Sequence, residues 1–402
     1  MAFKILYQYM HFQLVNVIIR NGFKTVQVSQ TIVRDDMLKS IVHPKFPYIN
    51  RFVSHTSYIS YNVNINTYNI NKRKFNSNSN SISNMNIIDT YIDKNVLNYA
   101  YYSFAVIGGL AGVAVTMLYM YQDKLLYMPN PPGLPKTPDE NPPGCISPNE
   151  WTINGNYCEA GVQCNPIPYE DVTITTDDGV KIHAWLLLKN PNVPTLLYFH
   201  GNAGNMGFRL QNCASIYGIS GYNVLMMDYR GYGKSTGIPS EIGLQLDAKA
   251  VLKFVKQHPK LTNSPIIPFG RSLGGAVAFW LAYHHPDDVA GVIVENTFSS
   301  VPAMVDVLMP WAKNIKHFIL RLSWDSLVLM PLIKQPVLFI SGDMDELVPP
   351  KHMKALYDAG TNPSNVLFTV NGGTHNDTWA KAGRRYYEVC MGYIWVVYVG
   401  CI

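Results

Sequence analysis

Hydrophobic and polar positions follow three different patterns along this chain. Up to about residue 95, Asn, Ile, Tyr and Ser mix without a period, around the run Asn76-Ser77-Asn78-Ser79-Asn80-Ser81 and the basic Lys72-Arg73-Lys74. Such a tract buries too little apolar surface to offset its conformational entropy, so a disordered Asn-rich segment is predicted over 1–95. From Val96 to Tyr121 no charged residue occurs. A run of about 25 residues fits a bilayer crossing at 1.5 Å rise per residue. Tyr99, Tyr101 and Tyr102 stand at one end and Tyr119 and Tyr121 at the other, where an aromatic belt belongs. A single transmembrane helix is predicted over 96–121, acting as a simple tether. Lys94 and Lys124 nearly balance across it, and Lys72-Arg73-Lys74 tip the N-terminus toward the cytoplasm. Which membrane is crossed does not follow.

A Pro-rich spacer is expected over 122–169. From about Glu170 the pattern changes again, to short apolar β-rich runs alternating with helical stretches. Val172–Thr176 and Val180–Leu188 read as a hairpin around Asp177-Asp178-Gly179. Strands are expected at Thr195–Phe199, Asn223–Met227, Ile266–Phe269, Val289–Val294, Val337–Ile340 and Val366–Val370, and helices at Ile242–His258 and Gly274–His285. That alternation predicts an α/β domain over 170–388, its mostly parallel sheet covered by helices on both faces. Residues 298–334 break the alternation with many apolar positions. They read either as packing on the body or as a small lid over the site. The tail, 389–402, is apolar and β-branched and too short for a second comfortable span.

Composition narrows the picture only a little. Of the 402 residues 48% are hydrophobic and 15% charged, and the net charge of +5 forms no dense basic stripe, which excludes nucleic acid as the natural partner. The six cysteines make no C-x-x-C pair and no His cluster stands at ligand spacing, so neither a metal nor an organic cofactor is implied. Cys145, Cys158 and Cys164 share one loop-rich stretch and could form a disulfide on an oxidising face or remain free thiols on a reducing one.

The chemistry is concentrated at Gly270-Arg271-Ser272-Leu273-Gly274-Gly275. A buried-strand pattern runs into G-x-S-x-G and a helix follows at once, the context of a nucleophile elbow. Ser272 is the expected nucleophile. A serine hydroxyl needs a base, itself oriented by an acid, in the chain order Ser, then Asp or Glu, then His. Three carboxylates compete in Ser341-Gly342-Asp343-Met344-Asp345-Glu346. Asp345 is favoured, being in the loop beyond the strand, whereas Asp343 could serve the turn and Glu346 face solvent. His375, in Gly372-Gly373-Thr374-His375, follows the last strand and is the expected base. The backbone N–H groups of Leu273 and Asn202 are the expected oxyanion donors. Asp228-Tyr229-Arg230-Gly231 reads as scaffold, with its Asp and Arg pairing or capping.

HGNAGN, DYRGYGKS, GRSLGG, VENTF, SGDMDELVPP and GTHNDTW occur in that order. Together they resemble the membrane-anchored α/β-hydrolase domain-containing proteins, type thirteen most nearly, with the type seventeen protein depalmitoylases a related branch. The resemblance covers roughly Asp123 to Arg385. It implies an α/β-hydrolase fold, an N-terminal single-pass anchor and a Ser272, Asp345, His375 triad. The expected activity is cleavage of an ester or thioester, on an acylated protein or a lipid. The competing class is a catalytically silent membrane-anchored interaction protein. The Asn-rich head and the apolar tail have no counterpart in the resemblance, and the tail puts the packing behind His375 in question.

Overall fold

The structure, a computed structural model, describes residues 94–159 and 162–399. The Asn-rich head lies outside the described residues, as does the end of the tail beyond Val399. Helix α1 spans Lys94–Leu126. Its stretch Asn98–Leu126, 29 residues, is long and apolar enough to cross a bilayer, and none of it is buried within the protein up to Tyr121 except for partial cover of Leu118.

Eight strands follow: β1 Tyr169–Thr175, β2 Lys181–Leu187, β3 Thr195–Phe199, β4 Asn223–Met227, β5 Ile266–Arg271, β6 Val292–Glu295, β7 Val337–Gly342 and β8 Val366–Val370. They form one sheet in the order β1-β2-β4-β3-β5-β6-β7-β8. β1 and β2 pair antiparallel, as does β2 with β4, and every later pairing is parallel. This is the α/β-hydrolase fold. The inner strands β3 to β7 are buried throughout, so they carry no polar alternation. The edge strands β1 and β8 do expose part of their length.

Helices cover both faces. Helix α2, Glu241–Gln257, begins where the Ser240 hydroxyl accepts the Gly243 N–H at 3.1 Å. Its Leu244, Ala248, Val251, Leu252 and Val255 join Leu186, Leu197, Leu225 and Phe339 in one buried cluster. Helix α3, Leu273–His284, lies on the same face and is buried nearly all round. On the other face Tyr198, Met226, Phe269 and Ile340 meet Leu210, Cys213 and Tyr217 together with the C-terminal helix α4, Arg384–Val399. Full burial of each such side chain contributes roughly 1.5–3 kcal/mol, and truncating Phe339 to Ala would cost about 3–5 kcal/mol.

Two expectations need correction. Residues 122–169 are not a free spacer: Tyr127, Trp151 and Ile167 are core residues, and Asn141 and Asn205 exchange hydrogen bonds at 2.7 and 3.1 Å. Proline-rich chain can pack irregularly when its polar groups find partners. Here the Glu150 carboxylate takes up the Gly144 and Ile146 N–H groups. Nor does the helix α1 stop at Tyr121: it runs on to Leu126, whose carbonyl accepts the Asn202 side chain at 3.0 Å. The tail through Val399 is helical, with Cys390, Tyr393 and Val397 buried, because the second sheet face needs a cover. Cys158 and Cys164 are joined, and Cys145 is free.

Candidate active site

Strand β5 delivers Ser272 into α3 through a turn that only glycine neighbours permit. Ser272 itself has φ 53° and ψ −118°, a left-handed conformation costly for a residue with a side chain. A Cβ on Gly270 would lie 2.1 Å from the Gly274 carbonyl, and one on Gly274 would lie 1.9 Å from the Phe199 carbonyl. The strain is held by the Ser272 N–H donating to Glu295 O at 2.9 Å and by the Thr297 hydroxyl donating to Ser272 O at 2.7 Å. The residue sits at the N-terminus of α3, where the helix dipole favours negative charge.

His375 and Asp345 meet directly, Nδ1 to Oδ2, at 2.7 Å. The other Asp345 oxygen accepts the Leu347 and Val348 N–H groups at 2.9 and 2.8 Å. Of the rival carboxylates, Asp343 is exposed and caps the Gly372 N–H, while Glu346 is exposed. Ser272 and His375 are linked through their neighbours: Arg271 donates to the His375 carbonyl at 2.6 Å and to Asn376 Oδ1 at 3.1 Å. Among the described residues the Ser272 hydroxyl makes no hydrogen bond to the His375 ring. In enzymes without substrate such contacts are often open and tighten on binding.

Gly201 brings the loop after β3 against the elbow, its would-be Cβ 3.7 Å from Ser272 Cβ. The adjoining Asn202 is gripped from three sides: its carbonyl accepts from Met128 N at 2.9 Å and Tyr232 Oη at 3.0 Å, and its side chain holds Leu126. Leu273 opens α3, so its N–H has no intrahelical acceptor. The arrangement offers a hydroxyl, a carboxylate-bound imidazole, a helix-opening amide and a loop amide at the carboxyl edge of the sheet.

Residues 194–319 match the alpha/beta hydrolase fold family. The chain is 36% identical over 314 residues to alpha/beta hydrolase domain-containing protein WAV2 of Arabidopsis thaliana, covering 74% of this chain and 96% of that protein. It is 35% identical over 309 residues to protein bem46 of Schizosaccharomyces pombe, covering 75% and 93%. It is 32% identical over 293 residues to the membrane protein YNL320W of Saccharomyces cerevisiae, covering 72% and 95%. The chain belongs to the alpha/beta hydrolase domain-containing family.

In this family member a second His–Asp pair lies behind the loop after β3. His200 Nδ1 donates to Gly201 O at 2.7 Å, while its Nε2 stands 3.6 Å from Asp228 Oδ1. Both side chains are fully buried. Burial pushes the Asp228 carboxyl up to about 7 and the His200 imidazole down to about 3. Of the two expected roles, pairing with Arg230 or capping, Asp228 takes the second, accepting the N–H of Met206 at the start of a helical turn. Arg230 instead binds Asp247 at 2.8 Å and Asp178 at 2.7 Å, because Asp228 faces inward and accepts the Met206 N–H.

Glu295, Asn296 and Thr297 stand within the VENTF motif, to which no role was attached from sequence. Asn296, at φ 47°, donates to Thr378 Oγ1 at 2.9 Å and accepts from Gly342 N at 2.8 Å, stitching the His375 loop to β7. Three polar residues directly after a buried strand were the available signal.

Proposed function

We propose that this chain is a membrane-anchored serine hydrolase that cleaves an ester or thioester through an acyl-enzyme. Ser272 Oγ attacks the carbonyl carbon as His375 takes its proton, and the alcohol or thiol leaves with that proton. Water then attacks the Ser272 ester, and the proton it gives up to His375 returns to Ser272 as the free acid departs. Asp345 orients the imidazole, and the Leu273 and Asn202 amides receive the oxyanion. The observation that carries this reading is the 2.7 Å contact of His375 with Asp345, beside a strained serine at a strand-to-helix turn.

Helix α1 is the single-pass anchor over 96–121, and the hydrolase body takes in the described residues from Tyr127 to Val399. An active site so close to a bilayer favours acyl chains, so an S-palmitoylated protein or a lipid ester is the proposed substrate. No cofactor enters any step. A fluorophosphonate probe is expected to label the full chain, and Ser272→Ala to abolish labelling; labelling that survives the substitution overturns the assignment. An unlabelled native chain would instead favour a catalytically silent membrane-anchored interaction protein.

A further inference from the structure

The insertion between β6 and β7 exposes apolar side chains where a soluble surface would not need them. Helical turns run from Pro310 to Ile319, bonded by Ile315 N to Ala312 O and Phe318 N to Ile315 O, each 3.0 Å. Trp311, Ile315 and Phe318 follow one another at helical spacing, 53%, 38% and 86% exposed, which puts a bulky apolar ridge into solvent. Lys313 and His317, also exposed, flank the ridge with polar groups.

These turns are fastened to the end of α1. The Gln122 side chain donates to Ile319 O at 3.2 Å and accepts the Arg321 and Leu322 N–H groups at 2.7 and 3.2 Å. Arg321 pairs with Asp123 at 2.7 Å, donates to Tyr119 O at 3.1 Å and lies over the Tyr119 ring. Trp324 donates to the Tyr127 hydroxyl at 2.9 Å. The gripped residues, Tyr119 to Tyr127, are those at which an apolar helix with Tyr and Lys at its end leaves the hydrocarbon. The ridge is therefore held at the level of the headgroups. Within the same stretch the Leu126 carbonyl accepts the side chain of Asn202, next to Gly201 and Ser272.

The geometry points to a bilayer-seating surface: Trp311, Ile315 and Phe318 sink into the interfacial layer of the same membrane that α1 crosses, and fix the Ser272 edge of the sheet against it. The inference rests on α1 being a membrane span and on the proposed hydrolase activity. An apolar ridge with a basic, polar flank is the composition that binds an interface in plane, and the insertion's fastening to an apolar helix selects the bilayer as its occupant.

The test uses the full chain reconstituted in phosphatidylcholine vesicles whose acyl chains are brominated. Trp311 is 53% exposed, whereas Trp151, Trp185 and Trp324 are buried and Trp280 and Trp379 are half-buried. Bromolipid is expected to quench the native fluorescence, and Trp311→Phe to remove most of the quenched amplitude. A Trp311→Asp, Phe318→Asp double variant is expected to lose about tenfold in turnover of vesicle-borne p-nitrophenyl palmitate, equivalent to roughly 1.4 kcal/mol of lost seating. Its turnover of soluble p-nitrophenyl butyrate is expected to stay at the native level. Quenching that is unchanged in Trp311→Phe, or equal effects on the two esters, overturns the seating surface. The underlying readings fail differently: alkaline carbonate would strip the native chain from vesicles if α1 were no span, and Ser272→Ala would retain butyrate turnover if the hydrolase assignment were wrong.

Discussion

Asp345 and Asp228 both stand just past the carboxyl end of a strand, and both are nearly or fully out of solvent, at 5% and 0% exposure. Their surroundings differ in the number of donors. Three N–H groups converge on Asp345, two from its own turn and one from His375. Asp228 receives the Met206 amide at 2.7 Å, its second oxygen has no partner, and its histidine stays 3.6 Å away. Burial then decides: it raises the Asp228 carboxyl to about 7 and lowers the His200 imidazole to about 3, which favours the neutral form of both below about pH 7. The same two residue types thus give an oriented pair in one loop and a neutral scaffold pair in the other. Local donors, not residue type, separate them.

Isosteric substitution breaks that comparison most sharply. Asp345→Asn keeps the shape but cannot accept the His375 ring N–H and both turn amides together, so the imidazole loses its working tautomer. Fluorophosphonate labelling is expected to slow by about 10⁴-fold. Asp228→Asn keeps the Met206 acceptor and can donate to His200 Nε2, so labelling is expected to remain close to native. Equal losses in the two variants would mean that both pairs serve the chemistry.

Stability against pH separates them next. In the unfolded chain Asp228 titrates near 3.8 and His200 near 6.5; in the folded chain they titrate at about 7 and about 3. Between about pH 4 and 6.5 each state binds one proton, on His200 when unfolded and on Asp228 when folded, so this pair gives the native protein no slope. Asp228 has its folded pKa raised, so its contribution is full below pH 3.8 and is lost as pH rises to 7. Removing it leaves His200, whose depressed folded pKa makes stability rise with pH across the same window, by about 1.4 kcal/mol per unit. Urea unfolding of Asp228→Asn at pH 5, 6 and 8 is expected to show that slope. At pH 8 it is expected to show a gain of roughly 4 kcal/mol over the native chain, three pKa units converted at 1.36 kcal/mol each. A flat profile would mean that the pair is not the neutral one described.

The comparison also explains which parts were legible beforehand. The strand-to-helix turn at Ser272, the loop of Asp345 and the glycine-rich approach to His375 are written in adjacent residues, so the sheet and these positions follow from local pattern. The packing of 122–169, the grip of Gln122 on Leu322 and the burial of Asp228 arise between residues far apart in the chain. No period or turn signal encodes such contacts. The tail was misleading for the same reason: β-branched residues disfavour an isolated helix only mildly, and burial against the sheet overrides the preference.

Glu295 offers the gentlest probe, because it lies between the two extremes. It is fully buried at the end of β6; one oxygen accepts the Tyr386 hydroxyl from α4 at 2.7 Å, and the other is 3.8 Å from Arg271 Nε. Its main chain holds Ser272 N, and Arg271 holds the His375 carbonyl. Tyr386→Phe removes one hydroxyl without opening a cavity, leaving a buried carboxylate short of its donor at a cost of about 1–3 kcal/mol. A matching drop in the urea midpoint, with labelling of Ser272 little changed, is expected if the C-terminal helix props the site from behind and takes no part in the chemistry. An unchanged midpoint would mean that α4 does not pack on Glu295. A loss of labelling larger than the loss of stability would instead make Glu295 and Arg271 positioning residues for His375, and would move this carboxylate to the Asp345 side of the comparison.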